Sequence, residues 1–366
     1  MKAIISGGGS GGHIFPAIAI AGAICKRWPD AEILFIGAQG RMEMDKVPAA
    51  GYRIVGLPIA GLQRKLTLHN IIQNLTLPFK EFKSLRMVKN TLRSFNPDIV
   101  VGVGGFASQP TLKAAASMGY ATLIQEQNSY AGLTNKTLAK SARTICVAYE
   151  GMERFFPKDK IVLTGNPVRA DIEQMTCSRQ EGLEHFGLSG DKPVVLVVGG
   201  SLGARSINQM MAGNLADTTN YQVIWQTGRW GYADAMTAVQ QAGVESRIKV
   251  HEFIKRMDLA YAAADVVVSR AGAIAISELS IVGKPVVLIP SPNVAEDHQT
   301  KNAMALVQKG AALMVPDVDC KQQCLPIVEQ LLTNPEQRQS MSQAIQAMAI
   351  RNAADKIVDQ IERITQ

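Results

Sequence analysis

Cysteine is scarce in this sequence, and the few present are not arranged for a structural role. Five occur in 366 residues, an odd number, and no C-x-x-C pair is present. Cys320 and Cys324 have no histidine near them in the sequence. This pattern argues against a disulfide framework or a zinc site, and it predicts reduced, mostly buried thiols in a cytosolic protein.

Long apolar runs are also missing. No stretch approaches the roughly 18 apolar residues that suggest a membrane-spanning helix. Near the N-terminus, Lys2 precedes apolar residues that end at Cys25, but a glycine-rich loop with His13 and Pro16 interrupts them. This interruption argues against a signal peptide. We therefore expect a cytoplasmic protein that is still able to touch a membrane surface.

The length and the strand pattern predict two domains of the α/β class. A chain of 366 residues exceeds what one hydrophobic core usually supports. Short runs rich in Val, Ile and Leu alternate with helical patterns, which is typical of parallel strands buried on both faces. The pattern starts twice, at IISGGGSGGH and at LVVGGSLGAR, each time with a strand that enters a glycine-rich turn.

We therefore expect two Rossmann-like halves that face each other across a cleft, with residues 1–166 and 167–366 as the domains. A first helix is expected from about Pro16, and a C-terminal helix, from about Pro335 to Ile364, that can pack back on the first domain. The predicted strands are 2–6, 32–37, 98–104, 121–127, 144–149, 160–167, 193–200, 221–228, 248–254, 265–272, 285–292 and 311–316. Ligands of such sheets bind at the carboxyl ends of the strands.

The first glycine-rich turn has the spacing of a dinucleotide-binding loop but lacks the usual partner. Gly7 to Gly12 satisfy G-x-G-x-x-G. A dinucleotide site also needs an acid at the end of the second strand, and here that strand ends in Gly37-Ala38-Gln39. An NAD-dependent oxidoreductase is therefore a minor alternative. The turn still predicts an anion site, since N–H groups and the helix dipole point at the ligand, against the alternative of a tight turn without one.

His13 stands where the helix after this turn should begin. A neutral imidazole with a pKa near 6.5 suits a general base. From position alone, a histidine that caps the helix or bonds a carbonyl is an equally good interpretation.

Polar residues follow other predicted strands. Glu126 and Asn128 lie in QEQN, and Arg169, in GNPVR, suits a bidentate contact with a diphosphate or an interdomain salt bridge. In the second half, Ser201 is able to add a hydroxyl to a pyrophosphate cradle. Glu278 is a lone acid in an apolar run, either bonded to a ribose diol or facing water.

Together these motifs resemble the MurG family of peptidoglycan synthesis. They are GGSGGHIFPA, GVGGFASQP, QEQN…AGLTNK, GNPVR, GGSLGAR, FI…M…YAAADVVVSRAGAIAISE and DHQTKNA, in family order from residue 8 to about 303. The resemblance implies the GT-B fold and the transfer of GlcNAc from UDP-GlcNAc to the C4 hydroxyl of undecaprenyl-diphospho-MurNAc-peptide (lipid I), with inversion, to give lipid II. It also implies a bacterial enzyme, peripheral on the cytoplasmic face of the inner membrane, with other cell-wall synthesis proteins as partners.

The resemblance also implies site residues. His13 would accept the hydroxyl proton, assisted by Glu126. Contacts with UDP-GlcNAc would come from Ser10, Gly11, Gly12, Asn128, Arg169, Ser201, Ile254, Ala273, Ile274, Ala275, Ile276, Ser277, Glu278 and Gln299, and contacts with the acceptor diphosphate from Gly8, Gly9, Gly104 and Gly105. N–H groups and helix dipoles are able to stabilise the UDP leaving group, so no metal or cofactor is expected. The family usually has a histidine where this chain has Gln125.

Nearly all of the net charge of +7 lies in residues 62–95, which hold seven basic residues and a single acid, Glu81. Apolar anchors flanked by Lys and Arg suit an anionic membrane surface, with each basic group adding about 1 kcal/mol. The predicted contacts are Lys65, Ile72, Leu75, Phe79, Lys80, Phe82, Lys83 and Arg86. The alternative is an amphipathic helix packed on the sheet with a solvated basic face. No nucleic-acid partner is expected.

Three other functions remain open at this point. A different GT-B sugar-nucleotide transferase, such as a lipid-A-disaccharide-synthase-like enzyme, would share the fold and the donor. A sugar-nucleotide-binding protein without chemistry would share the donor site alone. An NAD-dependent oxidoreductase would need an acid at the end of the second strand, and this sequence has none there.

Overall fold

The computed structural model describes residues 1–59, 77–200 and 202–366. Four of the predicted site residues, Lys65, Ile72, Leu75 and Ser201, lie outside the described residues. The chain divides into two compact units, Met1–Val168 together with Asn352–Gln366, and Arg169–Arg351.

The first unit is built on a parallel sheet of seven strands among the described residues, in the order β3-β2-β1-β4-β5-β6-β7. The strands are β1 (Lys2–Ser6), β2 (Glu32–Ala38), β3 (Arg53–Leu57), β4 (Ile99–Gly102), β5 (Ala121–Glu126), β6 (Thr144–Val147) and β7 (Ile161–Leu163). The helices that follow them are α1 (Gly11–Arg27), α2 (Glu43–Ala49), α3 (Leu77–Phe95), α4 (Ser108–Ser117) and α5 (Leu133–Leu138). The strand order reverses between β1 and β4, which is where open α/β sheets bind ligands.

The second unit repeats this plan with six strands in the described part, in the order β10-β9-β8-β11-β12-β13. The strands are β8 (Val194–Val198), β9 (Gln222–Gln226), β10 (Ile248–His251), β11 (Val266–Ser269), β12 (Val286–Leu288) and β13 (Leu313–Met314). Its helices are α6 (Ala170–Glu173), α7 (Arg179–Phe186), α8 (Arg205–Ala212), α9 (Tyr232–Ala242), α10 (Met257–Ala263), α11 (Ala273–Val282), α12 (His298–Val307), α13 (Cys320–Thr333) and α14 (Pro335–Gln346). The order here reverses between β8 and β11.

The last helix, α15 (Ala353–Thr365), belongs to the first unit and packs on α1. Ile357 and Ile361 are fully buried in the same core as Ile20 and Ile24 of α1, and Arg27 pairs with Asp359 at 2.7 Å. These apolar residues recur every three or four positions, so one face of each helix is apolar and both faces are buried together.

Two predicted boundaries are corrected, and one strand is added. Helix α1 begins at Gly11 and contains Pro16. The main-chain oxygen of Ser10 already accepts hydrogen bonds from the N–H groups of His13 and Ile14. The predicted C-terminal helix is two helices, since α14 ends at Gln346 and α15 begins at Ala353. Asn352, the residue before α15, has a left-handed backbone (φ 58°) that a continuous α-helix does not contain. The structure also adds β3, which was not predicted. The predicted fold class, two parallel-sheet α/β domains, is confirmed.

The cysteines are all free thiols, with Cys146, Cys320 and Cys324 buried. Within the described ranges, no helix is both long enough and apolar enough to cross a bilayer.

Candidate active site

In the first unit, His13 lies where the strand order reverses, between the two glycine turns that follow β1 and β4. A Cβ added to Gly104 would approach His13 Cε1 to 3.0 Å, so the imidazole packs directly on the second turn. A Cβ on Gly105 would overlap the main-chain oxygen of Gly8. Both glycines have positive φ, 94° and 87°, which other residues adopt only with strain. The turns therefore pack backbone to backbone, and this contact sets the place of His13.

A carboxylate fills the first glycine turn. Glu43, at the start of α2, is 1% exposed, and its two oxygens accept the N–H groups of Gly9 (2.9 Å) and Ala38 (3.0 Å). A Cβ on Gly8 would overlap this carboxyl group. The sequence expectation of a diphosphate on Gly8 and Gly9 would therefore require Glu43 to be displaced. Glu43 thus places an acid beside the end of β2, where a dinucleotide site would need one. Its oxygens, however, already accept main-chain N–H groups.

The predicted donor contacts Ser10, Gly11 and Gly12 lie at the start of α1. Ser10 is the N-cap residue, and Gly11 and Gly12 are the first two residues of the helix. Their N–H groups belong to the first turn, where an α-helix has no internal acceptors for them. This end of α1 is thus suited to a negative charge, next to the turn that Glu43 occupies.

Glu126, the predicted assistant base, holds a loop. It ends β5 at 1% exposure, and Oε1 accepts the main-chain N–H (3.0 Å) and the side-chain amide (3.2 Å) of Asn128. Its Oε2 accepts the N–H of Gly132 at 3.0 Å and the amide of Asn135 at 2.8 Å. A carboxyl group with four donors is fixed in place and positions Asn128. His13 contacts a different residue, with Nδ1 3.0 Å from Oε1 of Gln127.

In the second unit, Glu278 and Arg169 lie in contact. Arg169 donates to both oxygens of Glu278, at 3.0 and 3.3 Å, and the Tyr261 hydroxyl donates to Oε2 at 3.2 Å. Burial raises the pKa of the Glu278 carboxyl, and Arg169 and Tyr261 oppose that shift only in part. The expectation for Glu278 was either a ribose contact or a solvated face. Its carboxyl is buried, so a ribose diol would have to share it with these two side chains.

The other predicted donor contacts surround the carboxyl ends of the same sheet. Ile254 is buried, and its N–H donates to Oε1 of Gln226 at 2.8 Å. A uracil edge that used this N–H would have to displace or share Gln226. Gln299, in the first turn of α12, accepts the N–H of Ser291 at 2.8 Å. Helix α11 begins after Gly272, and its first five residues are the remaining contacts Ala273, Ile274, Ala275, Ile276 and Ser277.

Four residues of these sites were not singled out from the sequence: Glu43, Gln127, Gln226 and Tyr261. Gln127 lies inside the quoted QEQN motif, so its neighbours gave a signal. Glu43 was missed because it lies five residues after the end of β2, as the first residue of α2. Only its side chain reaches back to Ala38, at the end of that strand.

Models of one protein family match both halves of the chain. The Glycosyltransferase family 28 N-terminal domain matches residues 3–147, and the family's C-terminal domain matches residues 194–357. A UDP-N-acetylglucosamine–N-acetylmuramyl-(pentapeptide) pyrophosphoryl-undecaprenol N-acetylglucosamine transferase of Parabacteroides distasonis is 57% identical over 365 residues, 99% of this chain and 98% of the relative. The chain belongs to the MurG family.

Another MurG relative, from Cytophaga hutchinsonii, carries the same name and is 54% identical, with 99% of this chain and 96% of the relative covered. The crystal structure of MurG from Acinetobacter baumannii is 28% identical and superposes with a TM-score of 0.79 over 99% of both chains. The resemblance inferred from the motifs is therefore confirmed, and the chain is a family 28 glycosyltransferase.

Proposed function

We propose that this chain transfers N-acetylglucosamine from UDP-GlcNAc to the lipid-linked MurNAc-peptide, lipid I, and forms lipid II. The observation that carries this function is the 57% identity over 99% of the chain to a transferase of that name. A sugar-nucleotide-binding protein without chemistry, or a transferase with another acceptor, would not be expected to keep this identity through both halves.

His13 serves as the base in this proposal. The acceptor C4 hydroxyl loses its proton to the imidazole as its oxygen bonds to C1 of GlcNAc. The bond from C1 to the diphosphate oxygen breaks, and UDP leaves with the electron pair. This route inverts the configuration at C1. The start of α1, with the N–H groups of Gly11 and Gly12, is suited to a diphosphate beside His13.

Glu126 acts through the loop it holds, because its two oxygens already have four donors. Asn128 is the group of this loop that reaches the donor sugar. In the second unit, Arg169 and Glu278 serve the donor's diphosphate and ribose, and Ile254 serves the uracil through its main chain.

A transfer assay with UDP-GlcNAc and a polyprenyl-diphospho-MurNAc-peptide analogue tests this function. His13→Ala should lower kcat by about 10²- to 10⁴-fold, the usual contribution of a general base, and leave UDP binding intact. The exposed His185 on α7 offers a control, because His185→Ala should transfer at the wild-type rate. Failure of the wild type to use the lipid acceptor would refute the activity. Full activity of His13→Ala would refute the role of His13 as the base and would leave the proposed activity standing.

We also propose that α3 contacts an anionic membrane surface. Phe79 and Phe82 are 75% and 67% exposed, and Lys83 and Arg86 are exposed on the same helix. The opposite side holds the fully buried Val88 and Leu92. An exposed aromatic pair among basic residues is typical of a helix that lies in a membrane interface. It fits that interpretation of α3 better than the alternative of a solvated basic face.

Vesicle co-sedimentation tests the membrane contact. Reversing the charges of Lys80, Lys83 and Arg86 to Glu should reduce binding to anionic vesicles and leave UDP-GlcNAc affinity unchanged. Neutral vesicles serve as the control, since they lack the charge that attracts these residues. Unchanged sedimentation with anionic vesicles would exclude this helix as the contact.

A further inference from the structure

We propose that Gln127 is a positioning residue that holds His13 as the tautomer protonated on Nδ1, so that Nε2 carries the lone pair that accepts the proton. This inference rests on the proposed role of His13 as the base. The two ring nitrogens of a neutral histidine are chemically distinct, and the hydrogen bond made by one decides the protonation of the other.

The amide of Gln127 is oriented by main-chain carbonyl groups. Its Nε2 donates to the oxygen of Val103 at 2.8 Å and approaches the main-chain oxygen of Gln125 at 3.2 Å. Carbonyl oxygens only accept hydrogen bonds, so the nitrogen must lie on this side and Oε1 on the other. The oxygen is the atom that meets His13 Nδ1, at 3.0 Å. An amide oxygen only accepts as well, so Nδ1 must carry the proton.

Two further amides support this orientation. Asn166 donates through Nδ2 to the main-chain oxygen of Gln127 at 3.0 Å, and its Oδ1 accepts from Gln125 Nε2 at 2.9 Å. The Oε1 of Gln125 then accepts from Gln127 Nε2. Each amide in the series faces its neighbour with the opposite kind of atom, and carbonyl groups lie at both ends. Flipping any one amide would place two acceptors or two donors together.

The series is shielded from water, which makes its direction costly to change. Gln125, Gln127 and Asn166 are 0%, 1% and 2% exposed. A buried amide that loses its partners costs about 1–3 kcal/mol, so the flipped arrangement is strongly disfavoured. Gln125 lies in β5, Gln127 and Asn166 lie in the loops after β5 and β7, and Val103 follows β4. The sheet that forms the site therefore also fixes the tautomer.

A neutral amide at this position differs from the carboxylate that pairs with histidine in many hydrolases. A carboxylate would stabilise the imidazolium and would face the oxygen of Val103, which cannot donate to it. An amide orients the ring without adding charge. The arrangement thus favours a neutral imidazole before the transfer step, ready to accept a proton.

The tautomer is directly measurable in the wild-type protein. With ¹⁵N-labelled histidine, at a pH where the ring is neutral, the ¹⁵N shifts and two-bond couplings of His13 should identify a protonated Nδ1. Spectra of His13→Ala assign the signal among the five histidines. A protonated Nε2 in the wild type would overturn the proposal without any Gln127 variant having to fold.

Gln127→Met removes the acceptor and nearly preserves the side-chain length. It should lower kcat by about 10²-fold, change the KM for UDP-GlcNAc by no more than about twofold, and reduce the population of the Nδ1-protonated ring. Gln127→Glu keeps an acceptor for Nδ1 but adds a carboxylate, so it should favour the doubly protonated imidazolium over the neutral tautomer. Gln222 is a matched control, since it is a buried glutamine whose amide bonds Ser189 and Lys192 away from the site. Gln222→Met should keep the wild-type kcat.

The outcomes separate this inference from the function it rests on. A Gln127→Met enzyme that loses the tautomer and keeps its kcat would overturn the positioning role, whereas the transfer assay would still stand. A His13→Ala enzyme with full activity would remove the proposed base, even if Gln127 orients the ring.

Discussion

The glycine turn after β1 and the glycine turn after β8 repeat one sequence pattern but are held in different ways. In the first, Glu43 bonds Gly9 and lies against Gly8. In the second, a Cβ on Gly203 would overlap the main-chain oxygen of Thr227, and the oxygen of Gly200 accepts Gln226 Nε2. One turn contains a carboxylate, and the other is held by main-chain packing and a neutral amide. The shared pattern places glycines after a strand, and the neighbours of each turn decide whether an anion has a place there.

The largest effect is expected where the second turn meets β9. Gly203 and Gly200 have φ of 80° and 88°, so alanine strains both by about 1–2 kcal/mol. Only the methyl group of Gly203→Ala would also overlap main-chain atoms. A Cβ added to Gly200 would have no neighbouring atom within 4 Å. Overpacking adds about 1–3 kcal/mol, so Gly203→Ala should lose about 2–5 kcal/mol of unfolding free energy in denaturant titrations. Equal losses in the two variants would show that this contact does not hold the turn.

The second effect tests the carboxylate in the first turn. Glu43→Ala leaves two N–H groups without their acceptor and should cost about 1–3 kcal/mol, since each hydrogen bond contributes about 0.5–1.5 kcal/mol. It should also lower transfer, because the turn sets the place of His13. UDP binding should change little, because the residues proposed for its uracil and ribose, Ile254 and Glu278, lie in the second unit.

Glu43→Gln is the matched variant for this prediction, because it keeps the shape and removes the charge. Sulfate should raise the melting temperature of Glu43→Gln more than that of the wild type, if the carboxylate is what excludes anions from the turn. An equal response of both proteins to sulfate would contradict that role.

The sheets were predictable from the sequence because parallel strands buried on both faces are nearly continuous apolar runs. The strand that was missed, β3, has the sequence RIVGL, and only Leu57 is fully buried, since β3 is an edge strand. The boundary of α1 was misjudged because proline is typical of a helix start, whereas Pro16 is the sixth residue of α1.

The site was predictable only as a set of residues near strand ends. Glu43 and Gln127 act through contacts with residues 34 and 114 positions away, and no local pattern reports such contacts. The substitution at Gln125 is understandable from the structure. Its side chain supplies one acceptor and one donor, and a neutral imidazole has the same two functions.

The smallest effect concerns the carboxylate of the second unit, Glu278. Burial raises its pKa from the ordinary 4.5, so the native state binds this proton more tightly than the unfolded chain. The wild type should therefore lose stability relative to Glu278→Gln as pH rises from 4.5, measured as the pH slope of the unfolding free energy. Glu181 is the control of opposite sign, because hydrogen bonds from Ser178 lower its pKa. The wild type should gain stability relative to Glu181→Gln as pH rises into the range where the carboxyl ionises. If the Glu278 slope were positive instead, the hydrogen bonds from Arg169 and Tyr261 would outweigh the effect of burial on this carboxylate.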